Sequence, residues 1–216
     1  VNEMRDLLDN WERYLHTHDG TPSLARVAIV HHQFMIIHPF LAMNGVMLAL
    51  LAPLLLQHLG VTSLPLPFFG RLMNTLAAAM QQRMLAVCTG GKWEDCLTWY
   101  LHGIADAARQ TRMTIQRLQG LEYEWQLKLH AVQAPETEGI HRVLDLLLHR
   151  GATTLESAAE ATALAASEVE EAMRRLDSLD IARVDVQTEA RVFWSPEVIA
   201  SLNAALLPYL SGDRPL

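Results

Sequence analysis

Leu7, Leu8, Trp11 and Leu15 fall on one stripe at helical spacing, so the chain opens with a predicted amphipathic helix over about residues 2–16, closed by Asp19-Gly20. Thr21-Pro22 reads as an N-cap followed by proline at the first helical position. It opens a mostly apolar helix through Ala28, Val30, Phe34 and Ile37 that stops at Pro39. After the segment His38 to Gly45 comes a helix reaching Leu59 and ended by Gly60. It is apolar on nearly every face, which predicts the central position in a helical bundle. The loop Leu64-Pro65-Leu66-Pro67 leads to a helix from about Phe68 to Val87, broken by Gly90-Gly91. From Lys92 to about Leu129 the pattern is one or two long helices with Trp93, Leu97, Tyr100, Leu101 and Ile104 inward. No strand pattern interrupts this half.

The pattern changes at Ala134 to Gly139, a polar, Pro-containing stretch without periodicity that reads as a linker. Three short helices follow: Ile140 to His149 with Gly151 just beyond, one capped by Thr153-Thr154-Leu155-Glu156, and one capped by Ser167-Glu168-Val169-Glu170. The last two starts have the Ser/Thr-x-x-Glu form of a capping box. Two β-like runs, Ala182 to Val186 and Arg191 to Trp194, flank Gln187-Thr188-Glu189-Ala190. Helix, helix, helix, hairpin is the order of a winged helix. The expected fold is therefore mainly α, a helical bundle (1–133) joined by a linker (134–139) to a small winged helix-turn-helix domain (140–216).

Composition narrows the class further. Half of the 216 residues are apolar and 19% are charged, the make-up of a packed interior rather than a solvated chain. The longest purely apolar run, Val46 to Leu56, contains Pro53 and falls short of the roughly 20 residues a bilayer crossing needs. No membrane segment is expected, the N-terminus lacks a secretory signal, and the cytoplasm is the expected compartment. Cys88 and Cys96 make neither a disulfide framework nor a spaced metal site. Ten histidines include His31, His32 and His38 close together, without carboxylate or thiol at a ligand spacing, so no metal site is expected. The net charge of −7 belongs to the C-terminal part, where 14 acidic face 7 basic residues from Glu136 onward, while the first 135 residues carry 10 of each. The third helix of the small domain starts Ser167-Glu168-Val169-Glu170-Glu171, with only Arg174 and Arg175 further along, so nucleic acid is a poor partner.

One segment offers chemistry. His38-Pro39-Phe40-Leu41-Ala42-Met43-Asn44-Gly45 joins two apolar helices and puts a histidine beside an Asn-Gly step at a helix N-terminus. Free N–H groups and the positive dipole end there suit an anion, and a histidine next to it can take a proton from an incoming hydroxyl. A turn before a buried helix is the plainer alternative.

These residues resemble the motif of the Fic family, His-Pro-Phe-x-Asp/Glu-Gly-Asn-Gly-Arg-x-x-Arg. Its flanks, His32-Gln33-Phe34-Met35-Ile36-Ile37, Pro53-Leu54-Leu55-Leu56 and Lys92 through Ile104, are similar to Fic proteins with a C-terminal winged helix. The resemblance implies transfer of AMP from ATP to a Ser, Thr or Tyr hydroxyl of a target protein, with His38 as general base, Asn44 and Gly45 in the anion-holding turn and Phe40 anchoring the loop in the core. The chain departs from the motif where charge is needed: Ala42 replaces the metal-binding acid, Met43 the following glycine, and Val46 and Ala49 the two phosphate-binding arginines. Losing one preorganised donor for developing charge costs about 3 kcal/mol, a hundredfold or more in rate. The family's target-docking hairpin and N-terminal inhibitory helix would precede this sequence, so the helical domain is expected to be N-terminally incomplete.

Three readings follow. The first is a degenerate Fic protein without a cofactor, acting by binding another protein or a second copy. The second is a residual or altered nucleotidyl transferase using His38 and Mg-ATP. The third is a regulator binding DNA through the winged helix.

Overall fold

The computed structural model describes residues 2–63, 77–131, 138–185 and 191–204. The protein is mainly α. In order, the elements are α1 (Asn2–His16), α2 (Ser23–Ile37), α3 (Asn44–His58), α4 (Ala77–Gly90), α5 (Trp93–Ala131), α6 (Glu138–Arg150), β1 (Ala152–Thr154), α7 (Leu155–Thr162), α8 (Ala166–Ser178), β2 (Arg183–Asp185), β3 (Val192–Trp194) and α9 (Pro196–Ala204). None of the described helices is long and apolar enough to cross a membrane.

Two compact units are distinguishable, one up to Arg112 and one from Met113. In the first, Val27, Ala28 and Val30 of α2 are fully buried against Ala52, Leu55 and Leu56 of α3, Met80 of α4, and Trp99, Tyr100, Ile104 and Ala107 of α5. Trp11, Tyr14 and Leu15 of α1 pack on the same cluster, and the Trp11 indole N–H donates to the Val30 carbonyl at 2.8 Å. The connection from α1 to α2 is fixed electrostatically. Buried Arg26 donates to the Tyr14 carbonyl and to the Asp19 carboxylate. The Thr21 hydroxyl and backbone N–H, with Arg26 behind them, hold the Asp19 carboxyl down at about 2. Pro22 is the residue before the helix rather than its first turn, a one-residue shift from the expected start.

The expected central helix is not central. On α3 the side chains of Val46, Met47, Leu50 and Leu54 are exposed, and one face alone, Leu48, Ala52, Leu55 and Leu56, is buried. A helix apolar all round predicts burial only if the fold supplies neighbours on every side; the innermost position goes to α2. The predicted start of a helix at Phe68 and the loop at 64–67 lie outside the described residues, and α4 runs to Gly90, followed by Gly91 at φ +63°.

In the second unit, Leu121, Trp125 and Leu129 of α5 are buried with Ile140, Val143, Leu144 and Leu147 of α6, Val169, Ala172, Met173 and Leu176 of α8, and Phe193 of β3. The sequence put the domain boundary at 134–139, but the division falls inside α5, because the helix continues unbroken and its residues from Met113 to Ala131 belong to the second unit. Glu138 and Gly139 already belong to α6, and 132–137 lie outside the described residues. The strands form an antiparallel sheet in the order β1-β3-β2, with Thr153 opposite Phe193 and Val184 opposite Phe193 on the other side. Strand β1 and helix α9 are additions to the expected order. Gly151 begins the turn into β1 at φ +73°, a backbone that favours glycine, and a Cβ there would stand 2.9 Å from Ile199 Cδ1, which would have to shift. The caps also shift: the Thr154 hydroxyl accepts from the Ser157 N–H, and α8 starts at Ala166 with the Glu168 carboxylate accepting from the Ala165 N–H.

Candidate functional site

The segment between α2 and α3 turns through two left-handed residues. His38 (φ 48°) ends α2 with its N–H donated to the Phe34 carbonyl at 3.0 Å, and Met43 (φ 68°) precedes α3. Neither is glycine, so both conformations carry strain that surrounding contacts must offset. The compensating residue is Asn44, only 4% exposed. Its Oδ1 accepts the Phe40 N–H at 3.1 Å and its Nδ2 donates to the Phe40 carbonyl at 2.6 Å. A backbone N–H and a backbone carbonyl together leave one orientation for the amide.

The same Nδ2 stands 3.3 Å from His38 Nδ1. An amide N–H can only donate, so the neutral imidazole presents its lone pair at Nδ1 and carries its proton on Nε2. His38 is exposed, and the nitrogen left to meet a hydroxyl is a donor in this tautomer rather than a base. His38, Asn44 and Phe40 are therefore brought together, in an arrangement where Asn44 holds the loop.

Phe40 does not anchor the loop in the core. It is 48% exposed, and its ring rests on Phe34 with centroids 6.2 Å apart and planes tilted by 51°. The left-handed turn at His38 throws the loop outward, so the ring covers the end of α2 and the Asn44 amide does the tying. Gly45 lies in the first turn of α3 with nothing within 4 Å of a Cβ built there. Ala42, Met43, Val46 and the neighbouring Leu41, Met47 and Leu50 are all exposed, while Ala49 is half-buried. We expect Asn44→Ala to cost about 1–3 kcal/mol, because it strands two backbone groups of Phe40. Hydrogen exchange should register it as faster loss of the Phe40 amide proton with the α5 amides unchanged.

Behind the motif lies a buried polar cluster that sequence spacing does not reveal. The His31 Nε2–H donates to the Leu48 carbonyl at 3.1 Å, linking α2 to α3. The His32 Nδ1–H donates to the Ala28 carbonyl at 2.7 Å, which leaves Nε2 to accept the Cys96 thiol proton at 2.8 Å, across 64 residues of sequence. Burial, then the neighbouring His32, lowers the His31 pKa to about 3, and burial lowers that of His32. Burial likewise raises the Cys96 thiol and raises Tyr100 well above its usual range. The Tyr100 ring lies 5.1 Å from His31 and 5.3 Å from His32. These neutral groups hold a core together; the pKa directions disfavour a thiolate–imidazolium nucleophile. His38 shares no contact with them, and among the described residues no group of three or more His, Cys, Asp or Glu side chains is placed to hold a metal ion.

The stretch that builds this loop and its two flanking helices is also the stretch with a known likeness. Residues 1–56 match the model of the Fic/DOC family.

Proposed function

We propose that this is a Fic-related protein that has given up nucleotidyl transfer and works by binding another protein through the apolar face around its motif loop. The observation that carries this reading is the character of that face. Leu41 is fully exposed, and Met43, Val46, Met47, Leu50 and Leu54 are each 42–66% exposed along one side of α3 and its preceding loop. No charged residue stands between Pro39 and Gln57. A monomer rarely leaves a contiguous apolar patch larger than a few hundred Å² to water, and a helix side of this kind is the usual mark of a protein contact.

Fic-family members are AMP-transferases, so the turn has to be tested against Mg-ATP. A metal-bound polyphosphate needs a carboxylate for the metal and cations for the phosphates. Here the first turn of α3 has no acidic residue and positions 46 and 49 carry Val and Ala. The residues present do not fit the group, and the His38 tautomer favoured by Asn44 adds to the misfit. The expected result of calorimetric titration with Mg-ATP is no heat, and of incubation with labelled ATP no label. Micromolar binding with labelling that vanishes in His38→Ala would instead restore the transferase reading.

We read the second unit as a winged helix kept for packing. Arg174 pairs with Glu171 at 2.8 Å and Arg191 with Glu170 at 2.9 Å, so two of its cations already serve the chain's own carboxylates. That supports a domain that does not grip DNA phosphates.

A further inference from the structure

Helix α5 has 39 residues, about 58 Å of helix, and one side of its second half is unoccupied by the chain's own described residues. At 100° per residue, the buried Thr114, Leu121, Trp125 and Leu129 share one face, and Met113, Gln116, Gly120, Tyr123 and Leu127 share the opposite one. Met113, Tyr123 and Leu127 are 58%, 64% and 51% exposed. Their spacing, with Gln116 and Gly120 between, is the alternating three and four of a helix-pairing seam.

Gly120 sits at the middle of that seam. A glycine inside a helix costs about 1 kcal/mol relative to alanine. Among the described residues nothing requires it, since a Cβ at Gly120 would meet nothing within 4 Å and its backbone is ordinary helix. What a glycine at an exposed helix position permits is close approach by another backbone from outside.

We infer that α5 pairs with α5 of a second copy, antiparallel, around a two-fold axis passing Gly120. The sequence is self-complementary about that point. Met113 and Leu127 each lie seven residues from Gly120, about 10 Å along the helix, so each Met113 meets the Leu127 of the other copy. Arg117 and Glu124 lie three and four residues from it on the same flank of the seam, so the arginine of each copy faces the glutamate of the other, twice over. Arg117 donates its Nε–H to the Ser201 hydroxyl of α9 at 3.1 Å, which leaves its terminal amino groups to meet the glutamate. The occupant is committed by this symmetry: a foreign helix would have no reason to find its charges already mirrored. A single helix pair buries less than the roughly 1,600 Å² of a standard interface, so the dimer dissociates in the micromolar range.

Sedimentation equilibrium of the purified chain from about 1 to 500 μM tests it across the range in which such an interface dissociates. The expected result is a monomer–dimer equilibrium. Gly120→Leu should leave a monomer whose melting temperature is no lower than that of the parent, because the added side chain has open space in the free chain and blocks the crossing point. Glu124→Arg and Arg117→Glu should each weaken association about tenfold, and the double reversal should restore it. A monomer throughout the range overturns the inference, as does a dimer that survives Gly120→Leu, a loss of folding in that variant, or a double reversal no better than the single ones.

Discussion

Acidification from pH 7 toward pH 5 is expected to lower the stability of the first unit before most carboxylates are protonated. The origin is His31, buried and neutral, with a folded pKa of about 3 against an ordinary value of 6.5, assisted by His32, which is lowered for the same reason. Between those values the unfolded chain binds a proton that the folded chain refuses. Stability from such a group is fully present above about pH 6.5 and is lost as pH falls toward the folded pKa. The limiting slope is about 1.4 kcal/mol per pH unit for each histidine, and total stabilities of about 5–15 kcal/mol leave little reserve. The carboxyl of Asp19, held at about 2, contributes its own loss only below 3.8, so the window from about 4 to 6.5 belongs to the histidines. Denaturant unfolding at a series of pH values should show that slope in the parent and a flat line in the double variant His31→Gln, His32→Gln. A slope that persists in the variant would place the titrating groups elsewhere.

Trp125→Ala is expected to cost the second unit about 3–5 kcal/mol, the range for truncating a large buried aromatic. Trp125 is fully buried in the core that α5 shares with α6 and α8, and its indole N–H donates to the Glu197 carboxylate at 2.7 Å, which holds the start of α9. Two effects are therefore combined, a cavity and an orphaned carboxylate. Trp125→Phe separates them: it keeps most of the packing and should cost about 1–3 kcal/mol, the scale of a lost hydrogen bond to a charged group. Guanidinium unfolding followed by circular dichroism measures both. Equal losses in the two variants would mean that the hydrogen bond, not the packing, carries the residue's contribution.

Much of the helical layout was legible because local spacing alone encodes it. The stripe Leu7, Leu8, Trp11, Leu15 predicts α1 to its observed ends, and Gly60 and Gly151 mark real stops. The motif segment was located for the same reason: a histidine, a proline and an Asn-Gly step are adjacent in sequence. What periodicity cannot weigh is supply of neighbours. The apolar run of α3 reads as a buried helix, yet half of it faces water because α2 takes the inner place. Phe40 reads as a core anchor, yet the left-handed backbone at His38 points it outward, and that φ is set by the loop closing on Asn44.

The sequence by itself determined that the chain is mainly helical, where its motif lies, and that positions 42, 46 and 49 carry no charge, because these depend on residue identity and on contacts within a few turns. Tertiary structure decided that α5 runs unbroken across the division between the two units, that Asn44 rather than Phe40 ties the motif loop, and that His32 meets Cys96. Those outcomes depend on which faces find partners across many residues of chain, and no local pattern carries that information.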